Sequence, residues 1–238
     1  PGWSVNEISE LRVLRGIRLR EGRLPVEVVM LASSHGDADG FEARLELRPA
    51  DGRGTAFYRA TVHLGSTPLE PPSYQPPLSP APTALTARYA YQHLLFHGPC
   101  LQTVTRFIGL DRDGVLVEVC PSDPRAWMVG VRFEKGWLFD PGIVDSAPQL
   151  ALVWAHTVRG ESALPSRFGR VRRYGDDPLE LCRLHFRLHP HLTEHQVNAD
   201  VALVDGAGRL RLFIEELECT SSPALNRLGG SWKGAIVV

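Results

Sequence analysis

Apolar and polar residues alternate through the first quarter of the chain. Phe41-Glu42-Ala43-Arg44-Leu45-Glu46-Leu47 sets every second side chain on one apolar face, the mark of a half-buried strand. Tyr58, Ala60, Val62 and Leu64, interleaved with Arg59, Thr61 and His63, repeat the pattern. Residues 8–19 and 25–32 supply two more apolar segments. Gly22, the glycine-bounded run 36–40 and Asp51-Gly52-Arg53-Gly54 supply turn chemistry between them. This predicts an antiparallel meander of about four strands over residues 1–66. No segment here has the length and period of an amphipathic helix, yet a sheet must bury its apolar face against something.

Residues 67–88 break the pattern. Seven prolines fall between Pro68 and Pro82, a composition that favours an extended, semi-rigid connector. From Tyr89 the strands return. Val115, Val117 and Val119 alternate with Leu116, Glu118 and Cys120, and Leu184, Phe186 and Leu188 with Arg183, His185, Arg187 and His189. Two further strands, about 196–204 and 209–218, flank the hairpin signal Asp205-Gly206-Ala207-Gly208. One helix is expected over 141–159, with Asp140 as its cap, Pro141 at its first position, and Ile143, Leu150, Val153, Trp154 and Val158 on its apolar side. Pro148 complicates it, because its missing amide cannot bond the Val144 carbonyl. Either the helix runs from Pro141 and kinks beside Asp145, or it begins near Ser146 with Asp145 as its cap. The fold class is α+β: in residues 89–230 a curved antiparallel sheet wraps one central helix, the hot-dog arrangement, and the first half looks like the same unit without its helix.

Composition narrows the function classes. The 238 residues are 43% hydrophobic and 22% charged, with 26 basic against 27 acidic residues, so no global field would draw the chain to nucleic acid or an anionic membrane. No apolar run approaches the roughly 18 residues of a membrane span. Cys100, Cys120, Cys182 and Cys219 are widely spaced without a C-x-x-C pair, which suits reduced, mostly buried thiols in a cytoplasmic protein. His185, His189, His191 and His195 invite a metal reading, but arginines lie between them and no carboxylate pair converges there, so no metal is expected. Arg167, Arg170, Arg172 and Arg173 read as a solvated strand face, or alternatively as a surface for an acidic partner.

Three stretches carry a resemblance: Leu95-Phe96-His97-Gly98-Pro99-Cys100-Leu101-Gln102, then Asp140-Pro141-Gly142-Ile143-Val144-Asp145-Ser146-Ala147-Pro148-Gln149, then Leu164-Pro165-Ser166-Arg167-Phe168-Gly169-Arg170-Val171. In that order they resemble the Gly-Pro-x-Phe, Asp-x-x-x-Gln and Leu-Pro motifs of dehydratase domains from polyketide synthases. Those domains are double hot dogs joined by a linker, where residues 67–88 fall. Leu-Phe-His-Gly-Pro and the ending Ser222-Pro223-Ala224-Leu225-Asn226-Arg227-Leu228-Gly229-Gly230 are similar to dehydratases of iterative synthases, including polyunsaturated fatty acid synthases.

The resemblance implies a hydro-lyase acting on 3-hydroxyacyl chains carried on the phosphopantetheine of an acyl carrier protein. It implies no cofactor of the domain's own, with the carrier protein and neighbouring synthase domains as partners and a homodimer possible. Elimination of water needs a base at the carbon alpha to the carbonyl and an acid at the departing hydroxyl. Asp145 matches the family's acid, and its apolar neighbours Ile143, Val144 and Ala147 would favour a retained proton. Gln149, four positions on, would orient that carboxyl group. Gly98 and Pro99 would shape the site entrance, and His97 stands where the family often has tyrosine. Leu101 replaces the usual Phe; Leu164 and Pro165 could line the acyl tunnel.

The family's base, in a His-x-x-x-Gly-x-x-x-x-Pro motif, has no match. His35 is followed directly by Gly36, and His63 lies in a strand with Gly65 two residues on. The absent helix and the absent histidine are therefore one observation. Either the first hot dog is incomplete in this chain, the preferred expectation, or the domain is a shortened, non-catalytic acyl-binding or scaffold unit. A hot-dog thioesterase is the remaining alternative.

Overall fold

The computed structural model describes residues 2–19, 22–35, 40–130, 136–175, 179–190 and 193–227. The side chain of His35, His191, and residues 228–230 of the C-terminal motif lie outside the described residues.

The first-half alternation resolves into β1 (Ser4–Val13), β2 (Val26–His35), β3 (Gly40–Pro49) and β4 (Tyr58–Gly65). The second half adds α1 (Ala87–His93), β5 (Val104–Asp111), β6 (Gly114–Val119), α2 (Pro124–Trp127) and α3 (Pro141–Trp154), with a π-helical turn Ala155–Arg159 continuing α3. It ends with β7 (Ser162–Arg173), β8 (Cys182–Leu188), β9 (Gln196–Val204) and β10 (Leu210–Ser222). All ten strands join in one antiparallel sheet of order β2-β3-β4-β1-β7-β10-β9-β8-β6-β5. Among the described residues the first half carries four strands and no helix, so this is a double hot dog with one central helix.

The expected meander needs correction. Strands β2, β3 and β4 follow one another, but β1 pairs with β4 and not with β2. The reason is the other edge of β1, which joins the halves: Glu7 stands opposite Arg172, Ile8 opposite Val171 and Arg12 opposite Arg167 on β7. Ile8 and Leu11 also pack against the second-half core. A strand that must serve both halves has to lie between them.

Charge reinforces that seam. Arg167, 15% exposed, is gripped by Glu10 of β1 and by Glu216 (2.9 Å) and Glu218 (2.7 Å) of β10. Arg170 and Arg172 each pair with both Glu7 and Glu215. Arg167, Arg170 and Arg172 are therefore laced to glutamates, Arg173 donates to the Gly175 carbonyl and the Ser4 hydroxyl, and the cluster is not a free cationic patch. Glu10 and Glu216 both have left-handed backbones, φ 50° and 54°, within β-bulges that turn their carboxylates toward Arg167. Gly169 permits this: a Cβ there would lie 2.8 Å from the Glu216 Cβ.

The core lies in the second half. Helix α3 crosses the concave face of the sheet, burying Ile143, Leu150, Val153 and Trp154 among Val115, Val117, Leu184, Leu203, Ile214 and Leu217. Val158, expected on the apolar side, lies in the π turn and is exposed. On the opposite face the proline-rich segment is strapped down: Leu69 bridges Tyr174, Tyr74 packs on Phe213 and His185, and Pro82 bridges Gly109. Among the described residues the first half has no such cover on β2, where Val26, Val28 and Met30 are 44–66% exposed. The cysteines divide evenly, contrary to a mostly buried set. Cys182 and Cys219 are buried, whereas Cys100 and Cys120 are exposed in one recess of about 170 Å³ beside α2.

Candidate active site

The helix that carries the site begins at Pro141. Asp140 caps it, accepting from the amides of Gly142 (2.8 Å) and Ile143 (3.1 Å), and is itself anchored by the amide and hydroxyl of Ser122. This excludes the alternative in which Asp145 caps a helix starting near Ser146. Gly142 is required by a close approach, because a Cβ would meet Thr103 Cγ2 at 2.6 Å. The hydroxyls of Thr103 and Ser146 lie 2.5 Å apart and 3.1 and 2.9 Å from the Gly142 carbonyl, so one donates to that carbonyl and the other to its neighbour.

Asp145 then lies inside the helix with its side chain 32% exposed, while Ile143 and Ala147 turn into the core. Its surroundings are polar. The Gln149 amide, one turn on, donates to Oδ2 at 2.8 Å, and His97 Nε2 faces the same oxygen at 3.4 Å. Among the described residues no hydrogen bond reaches Oδ1.

Gln149 is fully buried, and its second amide proton goes to the Leu101 carbonyl at 2.9 Å. That carbonyl is presented by the 3-10 turn Pro99–Leu101, which Pro99 opens and which closes with the Leu101 amide on the Gly98 carbonyl at 3.0 Å. Gly98 and Pro99 thus build the support under Gln149. His97, immediately before the turn, is 10% exposed and stacked on Phe96 at 4.5 Å. Burial pushes its imidazole below the ordinary histidine value, and the Asp145 charge opposes that push. Among the described residues its buried Nδ1 has no hydrogen-bond partner.

One residue in the site was not anticipated. Tyr91 of α1 donates to Gln149 Oε1 at 3.1 Å and accepts from the Val104 amide at 3.0 Å. Burial, followed by the Asp145 charge, raises its phenol to about 12, with the Val104 hydrogen bond opposing. The available signal was Thr86, which caps α1 by accepting from the Tyr89 amide and marks a helix where the linker reading ended. Tyr58 of β4, in the first half, feels the same charge: burial and then Asp145 raise its phenol too. Leu164 and Pro165 lie half-buried on β7 opposite Thr220 and Cys219, and the hydrogen-bonded cluster around Asp145 includes neither. Among the described residues no three His, Cys, Asp or Glu side chains converge to hold a metal. His189 instead pairs with Asp200 at 3.0 Å.

A family model described as the polyketide synthase dehydratase N-terminal domain matches residues 69–228. The chain belongs to this dehydratase family. A curated relative, a polyunsaturated fatty acid synthase polypeptide from Thraustochytrium sp. (strain ATCC 26185 / S-3), is 29% identical over 183 residues; the match takes in 75% of this chain but only 6% of that protein. Among solved structures, the dehydratase domain from the CurJ module of curacin polyketide synthase superposes with a TM-score of 0.66 at 16% identity, over 92% of this chain and 76% of that one. The dehydratase domain of PpsC from Mycobacterium tuberculosis gives 0.64 at 21%, over 92% and 75%. That of RzxB from Pseudomonas fluorescens gives 0.61 at 16%, over 90% and 74%. These likenesses show the fold. The domain thus has the hot-dog fold of its dehydratase family, and the Asp145–Gln149 turn lies within the matched region.

Proposed function

We propose that this domain removes water from 3-hydroxyacyl thioesters delivered on the phosphopantetheine arm of a carrier protein, within a polyketide or polyunsaturated fatty acid synthase. One observation carries the reading: a partly exposed carboxyl group at the head of a buried helix, one oxygen held by a buried glutamine and the other open. Asp145 is the acid. Its proton passes to the hydroxyl oxygen on C3 as the C3–O bond breaks and water departs, while a base takes the proton from C2 and its electron pair forms the C2–C3 double bond. Gln149 orients the carboxyl group. His97, Gly98 and Pro99 wall the site near the reacting carbons, and Leu164 and Pro165 line the acyl path.

His97 suits the role of base poorly. Its Nε2 is turned to Asp145 and its Nδ1 is buried. The base in this reading is a histidine other than His97.

The test is made in the synthase, reading the acyl chain on the carrier by mass. Asp145→Asn is expected to halt enoyl formation and leave the 3-hydroxyacyl chain in place. Undiminished enoyl formation by that variant overturns the assignment, and release of free acid by the wild-type domain would point to thioester hydrolysis.

A further inference from the structure

We propose that Tyr91 is a positioning residue that locks the Gln149 amide in one orientation, and so makes Oδ1 the oxygen of Asp145 that carries the transferable proton. The proposal rests on Asp145 being the acid.

Two partners with one-way chemistry define the lock. The Val104 amide can only donate, so at 3.0 Å it takes a lone pair of the Tyr91 oxygen, and the phenol proton goes to Gln149 Oε1 at 3.1 Å. The Leu101 carbonyl can only accept, so the atom 2.9 Å from it must be the nitrogen, Nε2. Both ends of the amide are therefore assigned by their partners, and a flipped Gln149 would oppose oxygen to carbonyl and amide to phenol. One Nε2 proton remains, directed at Asp145 Oδ2 at 2.8 Å. Because that oxygen accepts, a proton on the carboxyl group resides on Oδ1.

The chain of donors runs one way, from Val104 through Tyr91 and Gln149 to Asp145, and ties α1, β5 and the 3-10 turn to α3. Tyr91 keeps its proton throughout the working range, with its phenol at about 12. It reaches Asp145 through Gln149, which is why it positions and does not react.

Labelling the 238-residue chain with nitrogen-15 reads the lock without any need for turnover. Gln149 is expected to show two distinct, slowly exchanging side-chain protons. Tyr91→Phe keeps the ring and removes the hydroxyl; in the folded variant these protons, and the Val104 amide, are expected to exchange at least about tenfold faster, the loss of a hydrogen bond of ordinary strength. Unchanged protection in folded Tyr91→Phe overturns the proposal. Should that variant fail to fold, 3-fluorotyrosine at position 91 keeps the shape with a stronger donor: a displaced Gln149 amide resonance supports the lock, and an unmoved one sinks it. In the synthase, Tyr91→Phe is expected to lower kcat about tenfold with KM unchanged. A fully active Tyr91→Phe beside an inactive Asp145→Asn rejects the lock alone. A fully active Asp145→Asn rejects the acid assignment on which it rests.

Discussion

Asp140 and Asp145 stand at the same end of α3 and do unlike work. Asp140 is 5% exposed and receives the amides of Ser122, Gly142 and Ile143 and the hydroxyl of Ser122. Asp145 receives one amide on one oxygen and leaves the other open. Stability and chemistry are thereby divided between two acids of a single motif.

That division predicts opposite outcomes for the two. Asp140→Ala removes a cap and strands buried donors, and is expected to cost about 2–4 kcal/mol in urea unfolding. Asp145→Asn, at a partly exposed position, is expected to shift stability by less than about 1 kcal/mol while abolishing dehydration. Equal destabilisation by both changes would contradict the separation.

The close approach of Thr103 to Gly142 makes a second prediction. Gly142→Ala drives a methyl group to 2.6 Å from Thr103 Cγ2 and is expected to cost about 1–3 kcal/mol. Thr103→Ser deletes that methyl and keeps the hydroxyl, so the double variant should recover part of the loss. A double-mutant cycle with no coupling would show that the clash is relieved elsewhere.

Arg167 offers a third. Arg167→Met would leave Glu10, Glu216 and Glu218 facing one another without their shared cation. The expected loss is about 2–4 kcal/mol, partly restored by raised salt as the carboxylates are screened. Urea midpoints at low and high ionic strength check both parts; a variant of wild-type stability would refute the role.

Burial also sets how the domain answers acid. His97, His156 and His185 are pushed below the ordinary value of 6.5, chiefly by desolvation. The unfolded chain therefore binds protons that the folded chain refuses. Stability is fully present above about pH 6.5 and declines as the pH falls toward the folded-state values. Glu10, held at about 2 by Arg167, adds its loss as the pH falls from its ordinary value of 4.5 toward 2. Melting temperatures between about pH 7.5 and 5 should fall steadily on acidification, and a flat profile would contradict the neutral imidazoles.

Local pattern carried the strands, since alternation is a property of adjacent residues, and the resemblance singled out Asp145 and Gln149, which the structure places in hydrogen-bond contact. The same pattern left the helix start open. It was decided by Ser122 and Thr103, which come from outside the helix and complete the Asp140 cap and the Gly142 carbonyl. Tyr91 was invisible for a similar reason: its partner lies 58 residues away, and only packing of α1 against α3 brings them together. The position of β1 escaped as well, because its second partner is named by register and charge across the whole chain and not by any neighbouring motif.

The seam between β1 and β7 has a consequence for biosynthesis. Glu7 and Arg172 are 165 residues apart. At roughly 5–20 residues per second, β1 leaves the ribosome on the order of ten seconds before β7, its second partner after β4, exists. Its glutamates hold a charged, water-facing edge during that wait, so one side of β1 is settled only after the second half has been made.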